Sequence, residues 1–410
     1  MAKFDFSPLL ASDAPAAAGR WAGFPEHNFI GGHVGRETIP VEALVESMTR
    51  QLRALGPELA TYNLEGGKQG MLSARQVVVD KLARDRGTDC SVDDVLMLSG
   101  SLQGFELVNN ALLNPGDYVV IEENTYGGIL TSVARRGAKI VGAPLDDDGI
   151  LVDKLAIKLD RLADQGIVPK YIYTIPTIQN PTGSMLPLDR RLALLELARD
   201  RGIAIFEDEC YADLVWDEDD WPAALRGLDD SGLVIHLGSF SKSLAPAIRL
   251  GYLVADWPIL SQLMALKTDA GTGALEQMLV ADYFGSHFEA HLTAAKPVLK
   301  AKLDVMMDAI NAQFGTAAEF TEPKGGIFFW MRIPGVDTSK LLPACTAEGL
   351  EFTPGAAWST DDADPSAREC LRLCFALPSH QEIRDGVAKL AEICHRETGI
   401  PVRSGNVDRT

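Results

Sequence analysis

Ser239, Ser241, Lys242 and Arg249 crowd one short stretch, Ser239-Phe240-Ser241-Lys242-Ser243-Leu244-Ala245-Pro246-Ala247-Ile248-Arg249-Leu250-Gly251-Tyr252. The apolar run Leu233 to Leu237 just before it reads as a buried strand. A lysine at such a strand end is poorly hydrated. Desolvation favours its neutral amine, a nucleophile that forms imines with carbonyl compounds. The two hydroxyls and the planar fork of Arg249 suit a phosphate dianion beside that amine. A carbonyl cofactor that carries a phosphate is pyridoxal phosphate (PLP).

PLP asks more of its protein than a lysine. A carboxylate must keep the ring nitrogen protonated, and Asp208 is the candidate. Donors must hold the phenolic oxygen; Asn180 and Tyr211 fit. A flat side chain should stack on the ring, as Tyr126 would. Ser239, Ser241, Arg249 and the backbone at Ser101 and Leu102 are candidates for the phosphate clamp. Arg372 is the candidate for the substrate carboxylate, through a two-toothed contact, and the backbone at Gly31-Gly32 could approach a ligand closely. The expected catalytic set is Lys242, Asp208 and Tyr211, with Arg372, Asn180 and Gly32 on the substrate. Singly, each has an ordinary reading. Asp208 is also a helix cap or surface acid, Asn180 before Pro181 a turn former, the tyrosines packing aromatics, and Arg372 a cation reaching from a half-buried strand. Their joint occurrence carries the argument.

The elements that must position these residues alternate. Strands are expected at Val95–Leu98, Tyr118–Glu122, Lys139–Val141, Tyr171–Thr174, Ile203–Phe206 and Leu233–Leu237. Helices are expected between them, including Gly128 to Arg136 and Arg190 to Arg201. Such alternation gives a largely parallel sheet covered by helices on both faces. Ligands then gather beyond the carboxyl ends of the strands. Tyr126, Asn180, Asp208 and Lys242 all fall there, and Ser99-Gly100-Ser101 is a strand-to-helix turn of the kind that cradles anions. Earlier, helices are expected at Val41 to Leu55 and Leu72 to Arg86, the latter burying Leu72, Gln76, Val79 and Leu82. Later, helical runs are expected at Leu260 to Leu266, Leu275 to Phe284 and Ala294 to Phe314. Strands at Ile327–Trp330 and Leu371–Phe375 and a closing helix at Gln381 to Glu397 follow. The division is an arm over 1–45, a large domain over 46–290, and a small α+β domain with a bridging helix over 291–410.

With 410 residues and 46 % hydrophobic content there is ample chain for a core. A net charge of −19 argues against a nucleic-acid partner. The acidic runs at 146–148 and 217–220 read as solvated loops. Six cysteines without a CxxC pair suggest a reduced, cytoplasmic setting. No signal peptide or bilayer-spanning run is apparent. His287 and His291, like Cys370 and Cys374, do not follow a metal-site pattern, so no metal is expected.

Ser-x-Ser-Lys-x-x-x-Pro-x-x-Arg-x-Gly, with Gln179-Asn180-Pro181-Thr182-Gly183 and Glu207-Asp208 followed by Tyr211, resembles the fold-type I PLP enzymes of the class I/II aminotransferases. The likeness runs from Asn28 to His395 and is greatest to the 2-aminoadipate and kynurenine aminotransferase branch. That branch includes the enzyme-like half of certain bacterial regulators, whose DNA-binding half has no expected counterpart here. The resemblance implies a large domain with a mostly parallel, seven-stranded-type sheet, a small domain built from both chain ends, and a homodimer with shared sites. It also implies that Tyr62 reaches the phosphate of the partner subunit, and that Pro323 to Phe328 and Arg372 match small-domain signatures. There are departures: Gly67 to Arg75 blurs a family pattern, Leu102 stands for a frequent Gln, Cys210 for Pro and Trp358 for Phe. The expected activity moves an amino group from an L-amino acid to a 2-oxo acid by a ping-pong route through an imine on Lys242. A PLP lyase or cyclase acting at the β carbon, and a non-catalytic ligand sensor, are the alternatives.

Overall fold

A computed structural model describes residues 4–11, 14–62, 64–217, 221–361 and 364–402. Residues 218–220 of the acidic run, Asn63 and the polar tail from 403 lie outside the described residues.

The chain opens with an arm and a short strand β1 (His27–Asn28), followed by α1 (Val41–Leu55) and α2 (Leu72–Arg86). Then β2 (Val95–Leu98), α3 (Ser101–Leu112), β3 (Tyr118–Glu122), α4 (Gly127–Arg135) and β4 (Lys139–Ala143) alternate. A small hairpin, β5 (Leu145–Asp146) and β6 (Gly149–Ile150), precedes α5 (Val152–Ala163) and β7 (Tyr171–Thr174). Next come α6 (Leu188–Arg201), β8 (Ala204–Asp208), α7 (Leu225–Leu228), β9 (Val234–Ser239), β10 (Gly251–Val254) and α8 (Trp257–Leu266). The rest is α9 (Ala274–Phe314), β11 (Phe328–Arg332), α10 (Thr338–Ala347), β12 (Leu350–Glu351), β13 (Thr353–Pro354), α11 (Pro365–Arg368), β14 (Cys370–Cys374) and α12 (His380–Thr398).

Seven strands form the main sheet in the order β2-β10-β9-β8-β7-β3-β4. All run parallel except β10, which is antiparallel to both neighbours. Its inner strands β10, β9 and β7 are buried along their whole length and β8 along all but its first residue, as a sheet covered on both faces requires. A second sheet, β11-β14-β13, is antiparallel. β1 pairs in parallel with β12, joining the start of the chain to its last quarter. This is the expected fold-type I architecture. No described helix is long and apolar enough to cross a membrane. His287 stacks on Tyr283, and Cys370 and Cys374 lie at the two ends of β14.

Two expectations need correction. The helical runs at 275–284 and 294–314 are one continuous helix, α9. The intervening residues include no proline, and Pro297 is carried inside the helix, where neighbouring packing offsets its missing hydrogen bond. The buried face of α2 is also different. Leu72 and Gln76 are exposed and Val79 half-buried, while Ala74, Arg75, Val78, Lys81, Leu82 and Arg86 are buried. Apolar periodicity misleads here because half of that stripe is charged. Its charges meet buried partners: Lys81 pairs with Asp213 at 2.6 Å and Arg86 with Glu209 at 2.8 Å. Arg75 Nε donates to the carbonyl of Gly70.

Glu209 is shared. It also accepts from Arg191 Nη1 at 3.4 Å and Thr177 Oγ1 at 2.8 Å. Its removal would leave two guanidinium groups buried without an anion. Glu209→Ala is expected to cost about 3–5 kcal/mol of unfolding free energy, read by urea denaturation. A loss below about 1 kcal/mol would mean that the arginines are satisfied by backbone carbonyls alone.

Candidate active site

The carboxyl ends of β2, β3, β7, β8 and β9 share one edge of the main sheet, and a cleft opens there. It is lined by Gly31, Gly32, Ser101, Leu102, Tyr126, Ile175, Asn180, Asp208, Cys210, Tyr211, Ser239, Ser241, Lys242, Pro246, Arg249, Phe328 and Arg372. Every residue expected at the site lines it except Tyr62, which stands outside the cleft and is 83 % exposed.

At one end, Gly100 holds φ +86° and turns the chain from β2 into α3. The first N–H groups of α3 therefore point outward, a ready seat for an anion. The Arg249 guanidinium packs where a side chain on Gly100 would stand. Ser239 and Ser241 lie alongside, the Ser239 hydroxyl accepting from the Ser241 N–H at 3.1 Å.

In the middle, Asp208 ends β8. It is 3 % exposed, and burial pushes its pKa up. Three donors oppose that shift: the Cys210 thiol, the Tyr173 hydroxyl at 2.7 Å and the Cys210 N–H at 3.1 Å. No cation pairs with it among the described residues. Lys242 faces the same space. Burial drives its pKa down, and its Nζ donates to the Gly32 carbonyl at 2.7 Å. A side chain on Gly32 would collide with that amine. Tyr126 caps α4 and packs near Phe105, while the Tyr211 hydroxyl receives a 3.4 Å contact from Asn180 Nδ2.

At the far end, Arg372 rises from the centre of β14. Its guanidinium lies between two rings, 3.7 Å from the centroid of Phe328 and 4.1 Å from that of Trp358. One Nη donates to Asn180 Oδ1 and the other to the Gly31 carbonyl, both at 2.9 Å. Its Nε is buried without a partner. Burial lowers its pKa to about 10.

Three cations thus face one carboxylate, in a chain whose net charge is −19. Such a cleft is electrostatically complete only with anions in it. PLP answers each unmet group: a phosphate for Arg249 and the α3 terminus, a ring cation for Asp208, and a carbonyl for Lys242. The substrate carboxylate is left for Arg372.

Sequence reasoning did not place His33, whose ring leans over Gly31 and whose pKa is lowered by burial and by Lys242. Nor did it foresee the stacked arginine. Phe328 and Trp358 were visible as aromatic residues near family motifs, but their meeting across Arg372 is a long-range event. The Cys210 N–H is a donor that the proline usual at that position would lack.

The profile described as "Aminotransferase class I and II" matches residues 36–390. The chain is 32 % identical to the aromatic-amino-acid aminotransferase 1 of Thermococcus litoralis, over 90 % of this chain and 87 % of that protein. It resembles the kynurenine aminotransferase of Pyrococcus horikoshii at a TM-score of 0.85, with 30 % identity and 92 % of each chain covered. It also resembles the alpha-aminoadipate aminotransferase of Thermus thermophilus, solved with N-(5'-phosphopyridoxyl)-L-leucine. There the TM-score is 0.81 and the identity 30 %, over 89 % of this chain and 91 % of that one.

Two glycines test the geometry separately. Gly100→Ala strains a positive φ and displaces Arg249. It is expected to weaken PLP uptake by the apoprotein about tenfold and to lower the melting temperature of the apoprotein through strain of about 1–3 kcal/mol. Gly32→Ala is expected to leave uptake near normal but to lower kcat by about tenfold or more, because the lysine amine is misplaced. Equal effects of both changes on uptake would contradict this division of the cleft.

Proposed function

Because the chain belongs to the class I and II aminotransferases, we propose that Lys242 carries its chemistry, in a ping-pong exchange between an L-amino acid and a 2-oxo acid. The protein is a PLP-dependent aminotransferase. The observation behind the assignment of roles is that an amine, Lys242, and a buried carboxylate, Asp208, line one cleft, neither having an ionic partner among the described residues.

When bound, PLP supplies a carbonyl that takes up the amino group and an electron-poor ring that acidifies the substrate Cα–H. Lys242 would hold that carbonyl, and its amine, whose burial favours the neutral form, would serve as the base for the Cα proton. Asp208 would keep the ring nitrogen protonated, and Cys210 and the Tyr173 hydroxyl favour its charged form. Asn180 and Tyr211 would hold the phenolic oxygen, and Tyr126 would pack against the ring. Ser239, Ser241, Arg249 and the backbone at Ser101 and Leu102 hold the phosphate. Arg372 binds the substrate carboxylate. The rings of Phe328 and Trp358 fix the plane in which its two donors lie. Gly32 keeps the amine oriented through its carbonyl.

We read the molecule as a large domain over 46–290 and a small one over 291–410, to which the arm over 1–45 contributes. The exposed Tyr62 supports a homodimer in which it reaches the phosphate of the partner subunit. The cysteines, all unpaired, support a cytoplasmic setting.

The test is a single turnover. Loaded enzyme mixed with L-amino acids, without any 2-oxo acid, should accumulate pyridoxamine phosphate and release one equivalent of 2-oxo product. Lys242→Ala should lower that rate by roughly 10²–10⁴-fold and abolish covalent retention of PLP. Catalytic release of ammonia and pyruvate in place of pyridoxamine phosphate would sink the assignment.

A further inference from the structure

Glu122 ends β3 and is 1 % exposed, yet it touches none of the groups assigned above. Its Oε1 accepts from the Thr174 hydroxyl at 2.6 Å and the Ile175 N–H at 3.1 Å. Its Oε2 accepts from Gln179 Nε2 at 2.9 Å. That same Nε2 donates to the Asn124 carbonyl at 2.6 Å. Gln179 Oε1 then receives the N–H of Thr182 at 2.8 Å and its hydroxyl at 2.7 Å. A buried carboxylate therefore grips one side of Gln179, and Gln179 grips the turn that carries Asn180.

The turn needs holding. Ile178 sits at φ +54°, a conformation that a β-branched residue avoids because its side chain crowds the backbone. Its side chain packs against Gly325 and Gly326. Asn180, two residues on, bridges the substrate and cofactor ends of the cleft. Its Oδ1 takes one donor of Arg372 and its Nδ2 meets the Tyr211 hydroxyl. A slight relaxation at Ile178 would move both contacts together.

We propose that Glu122 is a positioning residue for amino transfer: through Gln179 it holds the strained Ile178–Gly183 turn, so that Asn180 stands between Arg372 and Tyr211. The inference rests on the role given to Asn180 above. Burial raises the Glu122 pKa to about 7, against the pull of Thr174, Gln179 and Ile175, so this carboxylate is retained at a cost that a purely packing residue would avoid. Glutamine is its isostere, but an amide cannot accept on both sides. Turned to satisfy Thr174 and Ile175, it would present N–H to the N–H of Gln179.

The experiment compares Glu122→Gln, Gln179→Leu, Thr174→Val and Asn180→Ala in the PLP-loaded enzyme. The readouts are KM and kcat for a donor that turns over, and the pH midpoint of the absorbance change of the bound cofactor. Glu122→Gln and Gln179→Leu are expected to raise KM about tenfold, to lower kcat less than KM rises, and to shift the midpoint in the same direction as Asn180→Ala. Thr174→Val, which removes one of the two donors to the Glu122 oxygen that does not face the turn, should leave KM within about twofold and the midpoint within a few tenths of a pH unit. If Glu122→Gln misfolds, Gln179→Leu carries the same expectation alone. Parent-like KM and midpoint in both variants, beside an altered Asn180→Ala, would overturn the inference and leave the role of Asn180 standing. Equal effects from Thr174→Val would overturn it by reducing Glu122 to packing. An unaltered Asn180→Ala would overturn the Asn180 assignment and the inference with it.

Discussion

A carboxylate taken out of water must find a cation or give up its charge, and Asp208 is the place where that rule organises the molecule. The acids on either side of it are settled by the scaffold. Glu207 accepts from the N–H groups of Leu225 and Arg226 and meets His236 at 2.8 Å. Glu209 is held by Arg86 and Arg191. Successive side chains of a strand point to opposite faces, so Asp208 is turned away from Glu207 and left with uncharged donors, from Tyr173 and Cys210, among the described residues. The cleft before it carries cations in excess. Three consecutive acids thus divide their work: the outer two hold the sheet to its neighbours, and the middle one faces the cleft.

Most of the scaffold was legible because it is locally encoded. The spans of α1, α2, β2, β3 and β7 agree residue for residue with their patterns, and β4, β8 and β9 differ by one or two residues at their ends, whereas β10 was not foreseen as a strand. The site was legible for a related reason: in a parallel sheet, position along the chain fixes which residues arrive at the carboxyl edge. What escaped was non-local. The stripe of α2 could not be read from apolar periodicity, since Lys81 and Arg86 are buried by acids more than a hundred residues away. The seat of Arg372 depends on Phe328 and Trp358, which come together only in the fold. Glu122 carried a signal that went unused, since a charge that closes an apolar run at a strand's carboxyl end is seldom idle.

The two chain ends build the mouth of the cleft together. β1 runs beside β12, and the Cys374 N–H donates to the Phe29 carbonyl at 2.8 Å. Held between these pairings, Gly31 and Gly32 have little freedom. Their carbonyls take one donor each from Arg372 and Lys242. Backbone oxygen, rather than a side chain, thereby sets the distance between the Lys242 amine and the Arg372 guanidinium. Any residue larger than glycine at position 32 would enter that space.

The 41-residue α9 has a consequence for how the protein comes into being. α1 and α2 pack on it from the beginning of the chain and α12 from the end. On a ribosome, α1 and α2 emerge long before their partner exists, and α12 follows it. The faces of α1 and α2 that α9 covers stay wet until α9 has been made. Closing loops of that span is entropically slow, so this helix layer is completed only when α12 arrives, and a nascent chain stalled short of residue 380 would present sticky surface to chaperones or to its neighbours.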